Sequence, residues 1–219
     1  MGRGARLPSN AAVDRSLMSM SEQFFTKRVL SFSDQNLQAA EAALRGQFAE
    51  LPNAAVWGLW QGVFGPGAHQ LIVMSAHQSL DDGWHAPTDC AVEAQWRLKA
   101  TARPQTPHPL TRSGIYVFRN FWLPYADIGQ AVELSSTAWQ TFEGAEAYSA
   151  EPMGLFAPAE PLQATEECVL HLLTWYPNFA AWETSRQPDE QAMQRFKARR
   201  ALTRTTAAVA TRLLLPPGP

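Results

Sequence analysis

The sequence predicts an α+β fold in which one order of elements, strand–helix–strand–strand–helix, occurs twice. Three observations carry this. Short apolar runs with alternating side chains recur on both sides of a proline-rich segment, Arg103 to Pro109. In each half an apolar pattern of helical period follows the first such run. Each half then ends a return strand near a Trp, and laying Leu71 on Val169 brings Trp84 onto Trp182 without a gap. The chain divides accordingly into a disordered tail (1–20), a first half (21–103), a linker (104–112) and a second half (113–219).

In the first half, Phe24 to Phe32 has the apolar content of a strand, and Ser33 or Asp34 is a good N-cap. Leu37, Ala40, Leu44, Phe48 and Leu51 then recur at helical spacing until Pro52–Asn53 stops them. Ala54 to Val63 reads as a strand rich in Trp, with Trp57 and Trp60. After a Gly65–Pro66–Gly67 turn, Gln70 to His77 returns as its hairpin partner. A short helix is expected over Asp89 to Ala102.

In the second half, Gly114 to Trp122 reads as a strand with Ile115, Val117, Arg119 and Phe121 on one face and Tyr116, Phe118, Asn120 and Trp122 on the other. Asp127 can cap a helix carrying Ile128, Val132, Ser135, Trp139 and Phe142. Met153 to Ala157 is a strand. Cys168 to Tyr176 returns, and Pro177–Asn178 ends its ladder. Pro188–Asp189–Glu190 opens a last helix. Ala198, Leu202, Thr205, Val209 and Leu213 share one face of it, and a bend near Lys197 accounts for Met193 and Phe196 falling off that face.

Composition excludes several classes. With 46% hydrophobic and 17% charged residues, the chain has the apolar content to bury a core. A net charge of −2 supplies no bulk field toward nucleic acid, and the longest apolar run is far too short for a membrane span. Cys90 and Cys168 form no CxxC, so a reducing cytoplasm is the simpler setting. The cations of the last helix (Arg195, Lys197, Arg199, Arg200, Arg204, Arg212) spread around it and read as a solvated surface.

A βαββα unit occurring twice resembles two ferredoxin-like halves of the dimeric α+β barrel superfamily, fused in one chain. Two sheets would face each other, with helices outside. Within that superfamily the second half resembles the NIPSNAP family. The matching residues are Leu173–Thr174–Trp175–Tyr176, the turn to Phe179, then Trp182 and Arg186, Phe196 on a helix, and Leu213–Leu214–Leu215–Pro216. The first half departs from it, with Gln78–Ser79–Leu80 in place of the aromatic turn. The resemblance implies a binding or scaffold protein without an established catalytic set.

The histidines His69, His77, His85, His108 and His171 show no metal-ligand spacing, so no metal is expected. Val73, Ser75 and His77, and by the same alignment His171, Leu173 and Trp175, form mixed faces expected to point between the sheets. That space, with Trp57 as a further lining residue, suits a small hydrophobic or aromatic ligand. Arg119 either fixes an anionic group there or pairs with Glu166 or Glu167 at the rim. The favoured function is a NIPSNAP-like protein that binds a small hydrophobic molecule or a protein partner, with no cofactor and with self-association left open. Whether it is an enzyme also stays open. The alternative is a cofactor-independent monooxygenase or isomerase similar to the antibiotic-biosynthesis monooxygenases, with His171 as general base beside Trp175 and either Arg119 or Asn120. A third reading, haem binding as in chlorite-dismutase-like proteins, requires an axial histidine on a helix of the second half. No histidine follows His171.

Overall fold

Eight antiparallel strands close into one barrel in the order β1-β3-β2-β8-β5-β7-β6-β4. A computed structural model describes residues 23–33, 36–143, 149–187 and 190–216. The tail, Asp34 as a cap and the Pro188–Asp189 helix start lie outside the described residues. The first half supplies β1 (Phe24–Phe32), α1 (Leu37–Ala49), β2 (Ala54–Phe64), β3 (Gln70–His77) and β4 (Cys90–Ala100). The second supplies β5 (Ile115–Pro124), α2 (Ile128–Glu143), β6 (Glu151–Pro158), β7 (Glu167–Tyr176), α3 (Phe179–Thr184), α4 (Glu190–Leu202) and β8 (Thr205–Leu213). The β2–β8 and β4–β6 seams join the halves, which removes exposed sheet edges.

The two halves share register and irregularities. Ala40, Leu44 and Phe48 of α1 are buried on the first sheet, and Ala131, Ser135 and Trp139 are buried at the same spacing in α2. A bulge falls between Val56 and Gly58 in β2 and another between Pro152 and Gly154 in β6. Each precedes a glycine whose Cβ would strike an aromatic ring two residues on, Trp60 or Phe156. The β2 bulge also explains why Trp57 and Trp60, three apart, both point inward: the extra residue restores the same face.

Inward-facing Phe25, Trp57, Trp60, Tyr116, Phe118 and Phe156 fill the barrel in edge-to-face contacts, with ring centroids such as Trp60–Phe118 4.9 Å apart. Two outer cores lie under the helices, one around α1 and Trp84 and one around α2.

Several expectations are corrected. The segment expected as a helix over Asp89 to Ala102 is β4. Val92 to Ala100 alternates apolar and polar residues without a break, and this period of two overrides the helix-forming composition. The first half therefore ends βαβββ, with coil where the second half has α3 and α4. The last helix ends at Leu202 without a break at Lys197, and the β-branched run that follows is β8, not a continuation of the helix. Helix α1 is capped by Asn36, whose side chain accepts from the Ala39 N–H, and Ser33 lies before it. Asp127 sits inside a 3-10 turn ahead of α2.

The largest correction concerns faces. Ile72, Met74 and Ala76 point into the barrel, whereas Val73, Ser75 and His77 point outward. Pairing of Arg28 with Val73 and of Arg119 with Leu172 shows why. The correspondence between β3 and β7 runs one residue further than Leu71 on Val169, and a slip of one residue exchanges the two faces. Trp84 and Trp182 are likewise not equivalent.

Candidate functional site

A cavity with ligand dimensions lies outside the barrel, between the second-half sheet and its helices. It measures about 380 Å³, within the range of small-molecule sites. Its floor is the outer face of β5 and β7, with Arg119, Phe121, Leu172, Thr174 and Tyr176. Trp139 of α2 and Met193, Phe196, Lys197, Arg199 and Arg200 of α4 form the roof. Ser185 and Arg186, at the end of α3, and Thr206 of β8 complete the mouth. Met193, Phe196 and Arg200 recur at spacings of three and four and line the cavity, and Arg199 is the buried residue among the α4 roof positions.

The electrostatics are one-sided. Five cations line the cavity, and no carboxylate is among the described lining residues. Arg199 is 6% exposed. Its Nη1 donates to Ser135 Oγ at 3.0 Å, and its guanidinium stacks 4.4 Å above Phe121, yet its Nε has no partner. Burial, with Arg119 adding to it, lowers its pKa to about 10. The Arg119 side chain makes no hydrogen bond or ion pair with any described residue. Burial depresses its pKa too, Tyr176 opposing and Arg186 reinforcing the effect. Glu167 is engaged by Arg204, and the expected rim pair of Arg119 with Glu166 or Glu167 is not found among the described residues. Aromatic walls around uncompensated guanidinium groups suit an anionic aromatic ligand.

At the equivalent place in the first half lies a stretch of coil. Coil 78–89 is pinned there by Asp82, which accepts from both terminal nitrogens of Arg28 at 2.7 Å. Ser75 Oγ donates to the same carboxylate at 2.6 Å, and Gln95 takes the Arg28 Nε–H at 2.7 Å. Thr26 Oγ1 lies 2.9 Å from His77 Nε2, and His77 Nδ1 meets the Ser79 carbonyl. Ser75 and His77 are thus committed to an internal network beneath this coil.

His171 and Trp175 do point into the barrel, as expected, and Trp57 with them. There they belong to packing. The His171 ring lies edge-on to Trp96 with centroids 5.0 Å apart, and Nδ1 is 2.9 Å from Asn120 Oδ1 while Nε2 has no partner. Lys27 reaches over Phe118 at 4.4 Å and Trp96 at 5.0 Å. Burial brings the Lys27 pKa down to about 7, outweighing those ring contacts. Burial, then Lys27, holds His171 well below its usual value. Trp175 lies at the barrel end, its Nε1 donating to the Ser113 carbonyl at 2.9 Å. Among the sequence candidates only Arg119 lines the cavity, separated by the sheet from His171 and Asn120. Burial raises both cysteine thiols to about 11, which leaves them poor nucleophiles. No metal-ligating cluster exists among the described residues, and no described helix is long and apolar enough to cross a membrane.

No family model matches the chain, and no curated protein does. Solved structures do match in fold. An anthrone oxidase-like protein superposes with a TM-score of 0.64 at 10% identity, covering 89% of this chain and 92% of that one. A monooxygenase-like protein from Listeria innocua gives 0.52 at 9% identity, covering 89% and 95%. Chlorite dismutase from Candidatus Nitrospira defluvii, in a point-mutant form, gives 0.56 at 8% identity, covering 90% and 92%. The chain therefore has the dimeric α+β barrel fold, with two ferredoxin-like halves in one polypeptide. The described residues around the cavity include no histidine or cysteine.

Proposed function

We propose that this protein binds a small aromatic anion in the second-half cavity. The observation that carries the reading is the pair of half-buried Arg119 and buried Arg199 facing one cavity beside Phe121 and Trp139, with the Arg199 Nε left unpaired. Burying cations without counter-charge costs stability, and a ligand that supplies the charge recovers it. The residues behind the NIPSNAP resemblance agree with a binding role, since Arg186 and Phe196 line this cavity and Trp182 stacks near Arg186. The test is titration with 1-anilinonaphthalene-8-sulfonate, an aromatic anion, followed by probe emission and calorimetry. One saturable site is expected, weakened about tenfold or more by Arg119→Ala with the circular dichroism unchanged. Absence of a saturable site, or equal affinity in the variant, would refute the reading.

Oxidation of a bound polyphenol by dioxygen is the second reading, favoured by the likeness in fold to the anthrone oxidase-like and monooxygenase-like proteins. The arginines would stabilise the phenolate or enolate that gives electrons to dioxygen. Tyr176 and Lys197 are the lining groups able to exchange its proton, in place of His171. Oxygen uptake with anthrone above the buffer rate, lost in Arg119→Ala, is the expected result, and uptake at the buffer rate would remove this reading.

A further inference from the structure

Resting on the aromatic-anion reading, we infer that the anionic group of the ligand is a carboxylate, held on Arg119 and Thr174 as Asp82 is held on Arg28 and Ser75. The first half contains the template. The shared register places Arg28 and Arg119 at one position of the sheet: each pairs across to β3 or β7, at Val73 and Leu172. The helices agree, because the same offset sets Ala40, Leu44 and Phe48 on Ala131, Ser135 and Trp139. Two residues beyond Val73 and Leu172 on that outer face come Ser75 and Thr174, both hydroxyl donors.

In the first half this arrangement holds a carboxylate with both oxygens engaged. Oδ1 and Oδ2 of Asp82 each accept from a terminal nitrogen of Arg28 at 2.7 Å, Oδ2 accepts from Ser75 at 2.6 Å, and Oδ1 accepts from the Trp84 N–H at 3.3 Å. The ring of Trp84 stacks 4.7 Å from the guanidinium. Among the described residues of the second half, no carboxylate or amide takes the place of Asp82 or Gln95 beside Arg119. Ala208 stands across from Arg119 where Gln95 stands across from Arg28. No carboxylate lines the cavity among the described residues, and the space above Arg119 is open. A planar fork beside one hydroxyl reproduces the donors that engage both oxygens of the Asp82 carboxylate, and leaves the third oxygen of a sulfonate without a donor of that set. Phe121, Trp139 and Phe196 then supply the walls for the aromatic body, and Arg199 a second cation.

The test compares 2-naphthoate, 2-naphthalenesulfonate and 2-naphthamide by isothermal titration of the full chain. Naphthoate is expected to bind about tenfold or more tightly than the other two. Arg119→Lys, which keeps charge but loses the fork, should weaken naphthoate by about tenfold. Thr174→Val should weaken naphthoate and leave naphthamide unchanged. If sulfonate and naphthoate bind equally and both exceed the amide, the carboxylate assignment is overturned while the aromatic-anion reading stands. If all three bind alike, or none binds, both fall. The template has its own check. In Asp82→Ala, sodium acetate should raise the melting temperature more than sodium chloride does and more than in the wild type. Equal effects of the two salts would remove the basis of the inference.

Discussion

Replacing Arg119 by Met should stabilise the protein while abolishing ligand binding. Arg119 and Arg199 face the same cavity from floor and roof; burial lowers the pKa of both, and the charge of Arg119 lowers that of Arg199 further. For Arg199, the fall to about 10 corresponds to about 3 kcal/mol of destabilisation at neutral pH, where the group is charged in both the folded and the unfolded chain. Burial is the larger cause and Arg119 the second. Arg119→Met relieves the second share and also removes the desolvation of Arg119 itself, while the Met side chain keeps the apolar stem packed. The expected gain is about 1–2 kcal/mol, a rise in melting temperature of about 2–8 °C for a chain of this size. Urea unfolding and differential scanning calorimetry of the ligand-free protein measure it. A fall in stability would show that Arg119 makes favourable native interactions, and the idea of a cation reserved for a ligand would be wrong.

Other outcomes follow from the same reasoning. Asp82→Ala leaves two guanidinium N–H groups, the Ser75 hydroxyl and the Trp84 N–H without their acceptor, and should cost about 3–5 kcal/mol in urea unfolding; Arg28→Met with Asp82→Leu should recover most of it. Lys27 titrates near 7 when folded and near 10.5 when unfolded, so its cost is fully present below about 7 and stability rises with pH between those two values, by about 1.4 kcal/mol per unit. Lys27→Met should flatten this segment of a stability-versus-pH curve. His171, also depressed, makes stability fall as pH drops below 6.5, and His171→Gln should remove that slope. Gly58→Ala places a Cβ 2.2 Å from the Trp60 ring and should cost about 1–3 kcal/mol in a thermal melt; an unchanged melt would show that Trp60 moves freely.

Much of the frame is legible because alternation and helical spacing are local signals. β1 and β3 fall where the apolar runs place them, and α1 buries Ala40, Leu44 and Phe48 as their spacing requires. β4 misleads although Val92 to Ala100 alternates cleanly, because its residues also favour helices. The faces of β3 turn on a single residue of register, which only cross-strand pairing fixes. The site is half legible. Arg119 stands out as a charge inside an apolar strand. Arg199 is hidden in a basic helix whose apolar stripe, followed as far as Leu213, runs on into what is β8. The stripe Met193–Phe196–Arg200 is the available signal. The open surroundings of Arg119 are not legible at all, since they depend on Asp82 having no counterpart among the described residues above the second sheet.

The most direct measurement is a crystal structure of the protein with bound 2-naphthoate. The account predicts the ligand between the second-half sheet and α4, its carboxylate paired with Arg119 and its rings against Phe121 and Trp139. Density inside the barrel beside Lys27 and His171, or a ligand in the cavity that leaves Arg119 without a partner, would contradict it.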